Sequence, residues 1–213
     1  MRPAVTDRPR RRRRLFAGSG LALALGGGLL ACSTVAGAAP GPVAPDVSVT
    51  NVSVAPSRHE APPMAPSEPT RLVVPAAGVD TSPVLRLGLD AEGGLQVPSV
   101  DRAGQAGWYT GGVTPGEKGP AVLVAHYDTA KGPALLRDVA KVRAGDLIEV
   151  GRADGSTAVF EVRAIEQVDK KDFPTNKVYG KTDRPELRLI TCGGPIEDGH
   201  RTDNIILFAD LVQ

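Results

Sequence analysis

Leu147-Ile148-Glu149-Val150 and Ala158-Val159-Phe160-Glu161-Val162, with Asp154-Gly155 between them, decide the fold class. Both runs are short and carry β-branched or aromatic residues. The dipeptide between them takes positive φ at its glycine, which is the signature of a β-hairpin. Working outward, similar runs recur: Arg71-Leu72-Val73-Val74, Leu85 to Leu89, Ala121 to Ala125, Leu187 to Thr191 and Ile205 to Ala209. The run at 121–125 is apolar throughout, as expected of a buried strand. One short helix is expected over Ala134 to Val142, with apolar residues at 135, 136, 139, 140 and 142. Seven or more short strands in roughly 140 residues predict an all-β domain, a closed barrel or a sandwich.

Composition agrees. A chain of 213 residues suits one domain with appendages. Only 4% of residues are aromatic against 41% hydrophobic, so the core is built from Val, Leu, Ile and Ala. The 25 Gly and 19 Pro argue against a helical bundle. Two Cys exclude a disulfide-rich scaffold and a Cys-only zinc site. The net charge of +1 hides an asymmetry. Residues 1–14 hold seven Arg and one acid, a net of +6, which leaves 1 − 6 = −5 on residues 15–213. A mildly acidic folded part argues against nucleic acid as partner.

The N-terminus reads as an export signal: the basic run Arg10 to Arg14, then the apolar stretch Leu15 to Ala31. Leu29-Leu30-Ala31-Cys32 resembles a bacterial lipobox, which implies lipidation at Cys32. An uncleaved membrane anchor and cleavage after Ala36-Gly37-Ala38-Ala39 are the alternatives. All three put the remainder on the extracellular side of the cytoplasmic membrane. Residues 33–69 read as an extended tether, with eight Pro between Pro40 and Pro69. His59 in it is expected to be solvated and without a role.

In the expected domain, residues 70–213, two residues stand out chemically. His126 follows the strand 121–125, and Cys192 follows the strand 187–191 with Gly193-Gly194-Pro195 behind it. Two strand ends can meet at one rim of a barrel. With Cys32 assigned to the lipobox, Cys192 has no partner, and an exported protein rarely keeps an idle thiol. A single free Cys with a His elsewhere is a nucleophile candidate.

The stretch Thr114-Pro115-Gly116-Glu117-Lys118-Gly119-Pro120-Ala121-Val122-Leu123-Val124-Ala125-His126 resembles the Gly-rich approach and His-bearing strand of sortases. Leu189-Ile190-Thr191-Cys192 is similar to their Leu-x-Thr-Cys nucleophile motif. Trp108-Tyr109, His126-Tyr127-Asp128-Thr129, Gly145-Asp146, Phe173-Pro174-Thr175, Val178-Tyr179-Gly180 and Asp203-Asn204 resemble the class F sortases of Gram-positive bacteria. The resemblance implies an eight-stranded β-barrel with one or two short helices. It also implies a cysteine transpeptidase that cleaves a Leu-Pro-x-Thr-Gly-like signal between Thr and Gly. The acyl group would pass through a thioester to an amine, such as that of a peptidoglycan precursor. The partners it implies are surface proteins bearing a C-terminal sorting signal, the amine acceptor and the membrane; no cofactor and no metal are expected.

The resemblance gives Cys192 the attack and His126 the proton transfers. A family Arg often stands directly before the Asp-Asn pair, where this chain has Thr202. Arg201, one residue earlier, is the candidate donor to the oxyanion, although a one-residue shift on a strand reverses the face. Arg188 is the runner-up, roughly 13 Å from the thiol along its strand. Asp128 is read as a turn cap or an orienter of His126, and His200 as a surface residue. A thiol–imidazole pair with ordinary ionisation constants of ~8.5 and ~6.5 holds thiolate and imidazolium together in only ~1% of molecules near neutral pH. Slow turnover with a bell-shaped pH profile follows. A non-catalytic lipoprotein that binds cell-wall peptides would not need the Cys–His–Arg set, whereas a hydrolysing thiol peptidase would share it.

Overall fold

The computed structural model describes residues 44–55 and 61–213. The expectations for Arg10–Arg14, Cys32 and His59 lie outside the described residues. In chain order the strands are β1 (Val52–Ser53), β2 (Pro69–Val74), β3 (Val79–Thr81), β4 (Leu85–Leu87), β5 (Gly107–Tyr109) and β6 (Gly119–Val124). They continue with β7 (Asp128–Thr129), β8 (Gly132–Pro133), β9 (Leu147–Arg152), β10 (Thr157–Asp169), β11 (Pro185–Glu197) and β12 (His200–Leu211). The one α-helix of the described residues, α1 (Thr175–Tyr179), lies between β10 and β11.

One curled sheet carries ten of these strands, in the order β3-β2-β9-β10-β12-β11-β6-β5-β4, with β1 on β10. Pairing is antiparallel except for β11 with β6 and β4 with β5. The expected hairpin is β9–β10, and Gly155 in its turn has φ +84°. The all-β architecture expected from the sequence is observed as a curled half-barrel, with ten strands in the sheet where eight are expected.

Two-residue periodicity divides the central strands between two apolar layers. Leu123, Leu187, Leu189, Ile205 and Leu207 point into the core enclosed by the curl. Val122, Val124, Ile190, Ile206 and Phe208 line the outer face, where Val178 of α1 and half-buried Phe173 and Tyr109 cover them. Burial on both faces is why 121–125 and 205–209 read as continuous apolar runs, whereas 187–191 carries Arg188 and Thr191 among its apolar residues. Each fully buried Leu, Ile or Phe in these layers contributes about 1.5–3 kcal/mol.

Two expectations are corrected. Residues 134–142 are not a helix. Ala134 and Leu136 donate their amides to the carbonyls of Tyr127 and His126, and only Val139–Lys141 closes a 3₁₀ turn. Leu136, Val139 and Val142 are buried, so the periodicity found an inward face, but its period is the three residues of tight turns. The described part of the expected tether is docked. Ala44 and Val47 are buried, Val47 bridges to Gly194, and β1 pairs with β10. Farther on, Ala61 and Met64 donate their amides to Leu211 and Gly116. The prolines that suppress regular structure did not prevent single strand-like contacts.

Candidate active site

β6 and β11 run parallel, with Val124 level with Ile190, and Ala125 still donates its amide to the Ile190 carbonyl. Continued by two residues, this register brings the chain at His126 alongside Cys192. Val122, Val124 and Ile190 lie in the outer layer, and His126, two residues beyond the end of β6, stands between the inner-core residues Ala125 and Tyr127. His126 and Cys192 are both half-buried, as a reacting pair open to a polymeric substrate must be.

His126 Nε2 lies 2.6 Å from the Pro98 carbonyl. A carbonyl only accepts, so Nε2 carries a proton, and Nδ1 is the nitrogen left to gain and lose one. Behind Cys192, β11 carries an extra residue relative to β12, and Gly194 there has φ +74°. A Cβ on Gly193 would stand 2.7 Å from Ile205 Cδ1. The glycine is required by the core beneath it, since it faces away from the thiol.

Arg201 does not share the face of the thiol. On β12, Asn204 opposite Cys192 and Thr202 point outward, whereas Arg201, Asp203 and Ile205 point inward. The Arg201 guanidinium passes beneath the end of β11 and stands 5.0 Å from the Tyr127 ring. Its Nη2 donates to Asp128 Oδ2 at 2.7 Å and to the Ala44 carbonyl at 2.7 Å. Its Nη1 donates to Asp46 Oδ1 at 2.8 Å and to the Gly194 carbonyl at 2.7 Å. The hydrogen bonds it donates to Asp128 raise its pKa above the usual arginine value. The oxyanion role implied for Arg201 would require the guanidinium to leave these partners. Asp128 serves Arg201, and no hydrogen bond joins it to His126 among the described residues.

Arg188 is clamped farther along the outer face. It lies 4.8 Å from the Phe208 ring and donates to Glu186, in a buried cluster with Arg163 and Asp210. His200 is exposed. Glu166 pairs with Lys177, and Asp169 accepts from the Lys171 amide.

A cleft of about 380 Å³ opens on the outer face, lined by Leu89, Leu95, Tyr109, Val122, Thr175 and Tyr179 among others. Val122 lies four residues before His126, roughly 13 Å along the strand. Burial pushes the Tyr179 hydroxyl above its ordinary pKa, and its ring packs edge-on against Tyr109 with centroids 6.1 Å apart. In the sequence Tyr109 and Tyr179 stand out only as parts of motifs. Asn204 stands out in the sequence only as half of the Asp-Asn pair, and the register is what brings it opposite Cys192.

The family model of the sortase domain matches residues 72–212. Solved structures with the same fold include sortase C1 of Streptococcus agalactiae, at 18% identity and TM-score 0.52, covering 68% of this chain and 69% of that one. Sortase C of Streptococcus pneumoniae matches at 20% identity and TM-score 0.51, with 67% and 65% covered. Sortase C-1 of Actinomyces oris matches at 20% identity and TM-score 0.51, with 67% and 73% covered. A search of curated proteins found no match. The chain belongs to the sortase family, whose members are cysteine transpeptidases.

Proposed function

We propose that this chain is a class F-like sortase that cleaves a Leu-Pro-x-Thr-Gly-like signal between Thr and Gly and transfers the acyl group to an amine. The observation that supports the reading is the parallel β6–β11 register, which ends with Val124 level with Ile190, each two residues before His126 and Cys192. The Cys192 thiolate attacks the Thr carbonyl carbon and forms the C–S bond. Collapse of the tetrahedral intermediate breaks the C–N bond, and the leaving Gly amine takes its proton from His126. The thioester keeps the acyl group activated until an amine attacks, when the new C–N bond forms, the C–S bond breaks and the Cys192 thiolate leaves. His126 then accepts the proton of that amine. Arg201 braces the end of the groove by linking Gly194, Asp128 and the N-terminal segment. The apolar cleft at Leu89 and Tyr179 suits the leading Leu-Pro of the signal.

The clients are surface proteins bearing such a signal, and the acceptor is an amine such as that of a peptidoglycan precursor. The protein acts on the extracellular face of the membrane, held by lipid on Cys32 or by its apolar N-terminal segment. Peptide-library turnover with an added glycine-based amine tests the activity. Transfer products that depend on Cys192 support the reading, and hydrolysis alone makes the protein a peptidase. Diacylglycerol on Cys32 in the native N-terminal peptide is the expected anchor, and an intact Arg10–Arg14 segment would rule it out.

A further inference from the structure

We propose that Asn204 is the side-chain donor to the oxyanion formed when Cys192 attacks its substrate; the assignment rests on Cys192 being the nucleophile. Cys192 on β11 and Asn204 on β12 are direct cross-strand partners. Such partners project onto the same face with Cβ atoms ~4.5–5.5 Å apart. An amide one bond beyond its Cβ therefore reaches the space in which a carbonyl bonded to Sγ must lie. Asn204 is also level with Val168 of β10, so its backbone is held between two neighbouring strands. A donor fixed in this way does not reorganise when charge develops.

The state of its neighbours singles this residue out. Thr202 donates to Asp203, and Asp203 also accepts from Gln167. Arg201 is spent on the inner face, and Arg188 is held by Glu186 and Phe208. Asn204 is half-buried, and its side chain makes no hydrogen bond with any described residue. Its NH₂ offers two donors. As the C–S bond forms, the carbonyl π pair moves onto oxygen, and Asn204 donates a hydrogen bond to it without transferring a proton. Collapse returns that pair and expels the amine. Asn204 thus supplies, as a neutral amide, what an outward-facing arginine at position 202 would supply as a cation.

The test compares two reactions of Cys192 in the purified full-length protein. Acylation, by a Leu-Pro-x-Thr-Gly peptide and separately by p-nitrophenyl acetate, passes through an oxyanion. Alkylation by iodoacetamide, a displacement at a saturated carbon, does not. Asn204→Ala and the similarly sized Asn204→Leu should lower kcat for the peptide by ~10²–10³-fold, the usual cost of one oxyanion donor. KM should stay within about threefold and the alkylation rate unchanged, and acylation by the ester should fall at least tenfold. Acylation within threefold of wild type, or acylation and alkylation falling together, would overturn the assignment. A wild-type protein that is acylated by the ester but ignores every peptide would sink the substrate reading, and the ester-to-alkylation ratio would still decide the role of Asn204.

Discussion

Arg201 on β12 and Asp128 on β7 form an ion pair at 2.7 Å, with only 4% and 10% of their side chains exposed. The pair ties the start of β12, at the turn end of the β11–β12 hairpin, to the chain leaving β6, on the inner side of the site. Removing the cation would leave Asp128 buried without a partner, which costs ~3–5 kcal/mol. Arg201→Ala should therefore lower Tm by about 10 °C. Arg201→Lys keeps the charge but loses the planar fork and should fall between. A melt of Arg201→Ala within 2 °C of wild type, read by circular dichroism, would show that the pair contributes nothing.

The two carboxylates on Arg201 should behave differently. Asp46 is 68% exposed on its side chain, and its ion pair is screened by water. Asp46→Ala should cost less than about 1 kcal/mol, whereas Asp128→Ala should cost several times more. Urea unfolding of both variants measures the difference, and equal costs would contradict the burial argument.

How much of this was legible in the sequence follows from the kind of signal each residue carries. The strands at 121–125 and 205–209 were readable because burial on both faces leaves an uninterrupted apolar run, and 187–191 because it is short, mostly apolar and β-branched. His126 and Cys192 were readable because each directly follows a strand-like stretch. The docking of Val47 on Gly194 was not, since a single bridge in a proline-rich segment has no periodicity. The face of Arg201 was posed as a question by its one-residue offset from the family pattern. The answer needed the pairing of Cys192 with Asn204, which only the register supplies. The supposed helix at 134–142 shows the converse, where an inward face at three-residue spacing resembled a helix.

Gly193 is under a packing constraint. An added methyl would press on Ile205 Cδ1 at 2.7 Å and on Ile205 Cγ1 at 2.8 Å. Overpacking of this kind costs about 1–3 kcal/mol. Gly193→Ala should be destabilised by that amount in urea, and adding Ile205→Val should return part of it. Strict additivity of the two changes would show that they do not touch.

The outer cleft gives a prediction about substrate affinity. Tyr179→Ala and Leu89→Ala remove apolar lining far from the thiol. Losing about 1–2 kcal/mol of apolar contact corresponds to a rise in KM of about 5–30-fold for the peptide. The kcat and the rate of thiol alkylation should change by less than threefold. A fall in kcat at constant KM would mean that the cleft does not hold the substrate in its ground state.

The measurement that tests the central claim most directly is peptide mapping of the acyl-enzyme by mass spectrometry. Full-length protein is quenched in acid during turnover of a Leu-Pro-x-Thr-Gly peptide with a glycine-based amine. The account predicts a Leu-Pro-x-Thr acyl group on the fragment carrying Cys192, discharged by the amine, with cleavage and transfer both absent in Cys192→Ala. An acyl group on another residue, or transfer by Cys192→Ala at a tenth of the wild-type rate, would contradict it.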